Sequence, residues 1–388
     1  MQRGRHRYGW CAVLVLMGLL APGVGASAQT EGYEVQVGAP HDGTPSESMR
    51  FFPSRMTVHP GDSITFAGGF HTATLLPEGA DSQQWVDENV VPADGAYTPF
   101  APDADEGANA LKFNNAVAFP SDPSCGGPGG PACSYDGTEV VNSGVFVFGP
   151  GSFTTTVDAA PGSSFWVICL VHSNMRMRVT VVPPGQPAPT QAQLAQARDS
   201  QIALDAAEAA ATHHRLLTKR SKHKTASGKT VWDSWVGYDL PGVSLLAMYP
   251  KKLTIARGET VRYHFGSLEY EVHTATFPLA QGLDISNASF NPWCDPDGAG
   301  TAADNPPEIQ GPPFCNDPSQ IELDLDPRMM PAGNGTLRSA SDFENSGVRG
   351  DFLPRSAWDL RFPAASGAKG YDYVCMIHPF MRGKVVVR

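Results

Sequence analysis

Several things are scarce or missing in this chain, and each absence narrows what it can be. No apolar run is long enough to cross a bilayer comfortably: Cys11 to Leu20 is too short, and no second run approaches it. Basic residues are outnumbered, 28 Lys and Arg against 39 Asp and Glu, so a formal charge of -11 makes nucleic acid a poor partner. Cysteine is sparse, with 7 in 388 residues, and no cysteine sits where a lipid anchor would attach. No Ser-His-Asp order, paired catalytic carboxylates or Gly-rich phosphate loop stands out, so nothing points to the commonest hydrolytic or nucleotide-handling sites.

What is present begins with a processing segment. Arg3, Arg5 and Arg7 precede the apolar run, and Ala26-Ser27-Ala28 offers small residues for a signal peptidase. Residues 1–28 are expected to be a signal peptide, with export to a periplasmic or extracellular space and no transmembrane segment after cleavage. Export permits disulfides. Cys125 with Cys133, and Cys294 with Cys315, fall as one pair per half in Gly/Pro/Asp-rich sequence, and each is expected to staple a long loop. Neither pair has a nearby Cys or His to complete a structural zinc site.

An internal repeat sets the architecture. Phe52-Pro53-Ser54-Arg55-Met56-Thr57-Val58 matches Tyr249-Pro250-Lys251-Lys252-Leu253-Thr254-Ile255. His71-Thr72-Ala73-Thr74 returns as His273-Thr274-Ala275-Thr276, and Asn142-Ser143-Gly144-Val145 returns as Asn345-Ser346-Gly347-Val348. Short β-type runs between turn residues predict two β-sandwich domains, 31–184 and 227–388. Between them, 185–226 opens on a Pro-rich stretch. Thr190-Gln191-Ala192-Gln193 then caps an Ala-rich helix to about Leu217, followed by the basic run Lys219 to Lys224, expected to be solvated linker surface. His213-His214 on that helix is expected to be surface decoration. Long irregular stretches such as Pro292 to Pro313 are expected to be elaborated loops beside the functional end.

The last landmark carries the chemistry. Cys169-Leu170-Val171-His172-Ser173-Asn174-Met175 and Cys375-Met376-Ile377-His378-Pro379-Phe380-Met381 both spell Cys-x-x-His-x-x-Met at the entrance to a β-type tail. A thiolate, two imidazoles and a weak axial thioether satisfy both oxidation states of a one-electron copper centre. The loop supplies three donors, and a His on a neighbouring strand, 98 or 102 residues upstream of the Cys, supplies the fourth. The ligand sets are His71, Cys169, His172 and Met175, then His273, Cys375, His378 and Met381. Met177 competes for the first axial place, but aligning Met175-Arg176 with Met381-Arg382 favours Met175.

These residues resemble the cupredoxin family of type 1 blue-copper proteins, and His378 to Val387 is especially similar to the amicyanin and plastocyanin-like members. The resemblance implies an all-β fold of two Greek-key β-sandwich cupredoxin domains joined by an Ala-rich helical linker. It also implies two type 1 coppers per chain and electron entry along a partly exposed loop His. The rim is polar at Ser173-Asn174 and apolar at Pro379-Phe380, which suggests two kinds of partner. In that family the residue after the upstream His often tethers the Cys loop, so Thr72 and Thr274 are candidates for tuning the metal.

Related tandem domains also build oxidases whose trinuclear copper cluster needs many histidines, mostly as His-x-His. Here no His-x-His occurs, and only His41, His59, His213, His214, His223 and His264 remain for it. The expectation is therefore an exported electron-transfer protein serving redox partner proteins, without catalysis of its own and of open oligomeric state. Copper sequestration or delivery, and a two-domain enzyme with an additional interface copper, are the alternatives.

Overall fold

A computed structural model describes residues 30–102, 111–122, 124, 131–148, 151–266, 271–289, 293–294, 321–350 and 357–388. The expected signal segment, Cys125, Cys315 and most of Pro292 to Pro313 lie outside these residues. Alternation drives the strands. In Ser63–Gly68 the side chains of Ile64 and Phe66 are buried, and in Arg176–Val181 those of Met177, Val179 and Val181 are. Period-two burial of this kind gives each strand one face for a core.

In the N-terminal half, Gly32–Pro40 runs antiparallel to Ser46–Phe52 and parallel to Ser63–Gly68, and Ser152–Val157 extends the sheet. The facing sheet orders Arg55–Val58, Arg176–Val181, Ser164–Ile168, Thr74–Leu75 and Val141–Asn142. Phe51 and Phe66 from one sheet meet Phe165 and Val179 from the other in a single core. Each such fully buried side chain contributes about 1.5–3 kcal/mol. The C-terminal half repeats the plan. Thr230–Leu240 lies between Val243–Tyr249 and Thr260–Phe265, opposite a sheet of Lys252–Ile255, Arg382–Val387, Tyr371–Val374, Thr276–Phe277 and Glu344–Asn345. The chain is thus all-β in character, two β-sandwiches with a helix between them.

The halves share backbone hydrogen bonds. Ser46–Phe52 pairs antiparallel with Val243–Tyr249, in the register Val243↔Ser48, Ser244↔Glu47 and Leu245↔Ser46, so one ten-stranded sheet crosses the boundary. The long stretches between ligands add a second junction. Leu111–Phe113 of the first half pairs with Asp324–Leu325 of the second, and Leu323 is buried in the first half's core. These described parts of the insertions therefore bridge the halves.

The helix Gln191–Leu217 starts at a capping box in which Thr190 and Gln193 satisfy each other's backbone N–H groups. Its Ala209 and Leu216 pack on Val243, Leu245 and Tyr249. His213, expected on the surface, is half-buried, and its Nδ1 lies 2.7 Å from the Tyr249 hydroxyl. The basic run is ordered in part as Ser221–Lys224, a strand beside Thr230–Leu240, with Lys222 over the Trp232 ring. Cys133 is disulfide-bonded.

Buried Asp205 of the helix accepts from Ser48 Oγ at 2.8 Å and Arg50 Nε at 3.0 Å, while Arg50 Nη2 donates to the Pro241 carbonyl at 2.7 Å. Helix, first half and second half meet at this arginine. Asp205→Ala leaves the Ser48 hydroxyl and the guanidinium without their acceptor. It is expected to lower unfolding stability by about 2 kcal/mol, the loss typical of a charge-assisted hydrogen bond. A denaturant titration reads this as an earlier midpoint.

Candidate metal centres

Register assembles the donors. Ile168 pairs with Thr74, so Cys169, one residue past its strand, lies beside the turn that carries His71. Val374 pairs with Thr276 and brings Cys375 beside the short strand Val272–His273. Each ligand loop is closed by two backbone bonds. Cys169 N donates to Met175 O and Met175 N to His172 O, at 3.0 and 2.8 Å. Cys375 N and Met381 N do the same toward Met381 O and His378 O, at 3.1 and 2.8 Å.

The result is two convergent donor sets. Cys169 Sγ lies 3.9 Å from His71 Nδ1 and 3.6 Å from His172 Nδ1. Cys375 Sγ lies 3.9 Å from His273 Nδ1 and 3.8 Å from His378 Nδ1. Metal bonds of about 2.0 Å to nitrogen and 2.3 Å to sulfur in a trigonal plane give nitrogen-to-sulfur edges of about 3.7 Å, so both sets fit one ion. Both cysteines are free thiols at 0% exposure, and Met175 and Met381 are buried with them. Met177 belongs to the strand Arg176–Val181, opposite Val167, in the sandwich core.

Burial alone pushes the Cys169 thiol up, but the His172 and His71 imidazoles outweigh it and hold its pKa at about 5. His273 and His378 do the same for Cys375, also at about 5. Thiolates ready for a soft metal are the consequence.

The threonines after the upstream histidines tie the cysteine to its neighbours. Thr72 N donates to Cys169 Sγ at 3.4 Å, and Thr72 Oγ1 accepts from Leu170 N at 2.9 Å. Thr274 N donates to Cys375 Sγ at 3.3 Å, and Thr274 Oγ1 accepts from Met376 N at 2.8 Å. Behind them stands the repeated Asn-Ser-Gly-Val, noticed in the sequence only as a landmark. Asn142 Oδ1 accepts from Thr74 Oγ1, itself bonded to Thr72 Oγ1, and Ser143 Oγ accepts from Ala73 N. Asn345, Thr276, Thr274 and Ser346 repeat the chain of bonds.

Two glycines cradle the upstream rings. Gly38 and Gly237 each sit at a register shift in the strands Gly32–Pro40 and Thr230–Leu240, with φ of 71° and 73°. A Cβ on Gly38 would stand 2.2 Å from His71 Nε2, and one on Gly237 would stand 2.3 Å from His273 Nε2. A glycine bulge lets the backbone approach the ligand ring where no other residue fits.

The outward-facing Nε2 atoms distinguish the centres. His71 Nε2 meets Glu47 Oε1 at 2.8 Å, whereas buried His273 Nε2 has no hydrogen-bond partner among the described residues. The loop histidines point at a shared group: His172 Nε2 and His378 Nε2 lie 3.4 and 3.3 Å from the same oxygen of Glu271. Burial pushes the Glu271 carboxyl up, but His172 and His378 outweigh this and hold it well below the usual range. His378 is half-buried, as a partly exposed entry point requires, whereas His172 is buried. Packing of the two halves sets their exposure. Both histidines line one cavity of about 430 Å³ whose walls include Phe70, Phe113, Phe148 and Phe380.

No family model and no curated protein matches the chain. Among solved structures it is similar to auracyanin A, a blue copper protein from Chloroflexus aurantiacus, at 17% identity over 39% of this chain and 97% of that one, with a TM-score of 0.19. It is also similar to a multicopper oxidase, at 13% identity over 92% of this chain and 88% of that one, with a TM-score of 0.19. A third is copper nitrite reductase from Nitrosomonas europaea, at 12% identity over 93% and 94% of the two chains, with a TM-score of 0.17. Matches to enzymes over most of the chain correct the expectation of a protein without catalysis of its own. The histidine count behind that expectation concerned one chain and one type of cluster, and so does not speak to enzymes of other design.

Proposed function

We propose that the chain is an exported electron-transfer protein with two type 1 copper centres, built from domains at 31–184 and 227–388. His71, Cys169, His172 and Met175 would hold one copper, and His273, Cys375, His378 and Met381 the other. The observation that carries this is the pair of buried His-Cys-His sets, each with its thiol and two imidazole Nδ1 atoms converging. Bound copper supplies reversible one-electron chemistry. The protein's part is to keep the donors from moving when the charge at the centre changes. Thr72 and Thr274 tether the thiolates, the asparagine braces fix the threonines, and apolar burial excludes water from the sulfur. Buried, braced donors suit a metal retained through many cycles better than one handed on, which favours electron transfer over copper delivery.

Copper-loaded protein is expected to hold two coppers per chain and to show an intense thiolate-to-copper absorption band in the visible. Cys375→Ser is expected to remove about half of both, since one of two thiolate sites is lost. Metal analysis with visible spectroscopy checks this, and copper bound without any thiolate band would overturn the assignment.

A further inference from the structure

Glu271 stands apart from the other acids among the described residues. It is 6% exposed, it lies two residues before the ligand His273, and one of its oxygens faces the outer nitrogens of both loop histidines. Those two nitrogens belong to different halves, and they lie no farther apart than the sum of their two contacts with that oxygen. The backbone that carries this side chain is itself packed tightly. Val272 pairs with Gly350, and a side chain at Gly350 would collide with the Glu271 carbonyl at 2.3 Å. The halves are fixed by their shared sheet and by the Asp205–Arg50–Pro241 junction. With Nδ1 of each ring turned to its cysteine, Nε2 is the atom left to donate outward, and a carboxylate is the usual partner of a metal-bound imidazole. What is unusual is one carboxylate serving two of them.

We propose that Glu271 links the two centres into an internal electron relay, with His172, Glu271 and His378 as the route between domains. This rests on the two-copper reading above and deepens it. One electron leaves the reduced centre and arrives at the oxidised one. No covalent bond forms or breaks, both Nε2 protons stay in place, and no further reactant is needed. Glu271 acts here as a positioning residue, holding the Nε2 edges of two rings toward one carboxylate oxygen. The chain then behaves as one two-electron unit, in place of two carriers that each wait for a partner.

The test is pulse reduction of the fully copper-loaded chain, followed at wavelengths that distinguish the centres, assigned from Cys169→Ser and Cys375→Ser chains. After the pulse, one centre is expected to recover as the other bleaches, at a rate independent of protein concentration. Glu271→Leu is expected to slow this exchange by about 10- to 100-fold, the usual effect of losing the carboxylate behind a metal-bound imidazole. Glu271→Gln keeps the size and one oxygen that can accept from both rings but loses the negative charge, so a smaller slowing is expected. Both centres should keep their own absorption bands, which a merely structural role would not allow. If the Leu variant does not load copper, the Gln variant decides: slowed exchange supports the relay, and unchanged exchange overturns it. Two filled centres without concentration-independent exchange overturn the relay alone. A chain that binds no copper through its thiolates overturns the relay together with the reading beneath it.

Discussion

Gly237→Ala is expected to empty the second centre of copper while leaving the first filled. Two costs fall on the same atom pair. The backbone at Gly237 has φ of 73°, a left-handed conformation that costs an L-residue about 1–2 kcal/mol. The added methyl would then stand 2.3 Å from His273 Nε2, inside the ring's van der Waals envelope. A flexible side chain could swing away, but this ring is fully buried and fixed by its neighbours, with Nδ1 facing Cys375 Sγ. Relief comes only by tilting the ring off the metal or by opening the strand. Gly38→Ala repeats the collision at His71, with Glu47 Oε1 at 2.4 Å adding to it, and should empty the first centre instead. Copper content per chain and loss of about half the visible band check each variant, and a filled second centre in Gly237→Ala would show that the bulge has room to yield.

How much of this was legible depended on how local the information is. The ligand loops were readable because Cys, His and Met lie within seven residues and occur twice. The upstream histidines were readable because His-Thr-Ala-Thr is identical in both copies. The β-sandwich class followed from alternation that the strands do show, as in Ile64 and Phe66. Gly38 and Gly237 were passed over, since a glycine in a strand pattern reveals a bulge only when the partner strand's register is known. Asn142 and Asn345 were visible as repeats but not as braces, because their bonds reach residues about seventy positions away. Glu47 reaches His71 from 24 positions away, and Glu271 lay beyond any pattern within one half, since its role arises from two loop histidines turned toward one carboxylate. The same packing of the halves brings both loop histidines onto one cavity. Each loop carries its Cys, His and Met within a few residues, but what the loop faces is decided by the other half.

Glu47→Gln is expected to raise the reduction potential of the first centre and to erase most of its difference from the second. Glu271 touches both centres alike, so it does not separate them. The upstream rings do differ, for His71 Nε2 meets a carboxylate at 2.8 Å and His273 Nε2 meets no partner among the described residues. A negative charge behind the imidazole makes the ring a stronger donor and favours the more highly charged oxidation state. The first centre should therefore have the lower potential, and electrons within the chain should settle on the second. A 10- to 100-fold change in relative affinity for the two oxidation states corresponds to about 60–120 mV for one electron. Glu47 is 22% exposed, so solvent screens part of its charge and the lower end of that range is the expected shift. Spectroelectrochemical titration of the Cys375→Ser chain, with and without Glu47→Gln, isolates the first centre and reads the change directly. An unchanged potential would mean that the carboxylate orients the His71 ring without tuning it, and the source of any downhill flow toward Cys375 would have to be sought in the axial methionines.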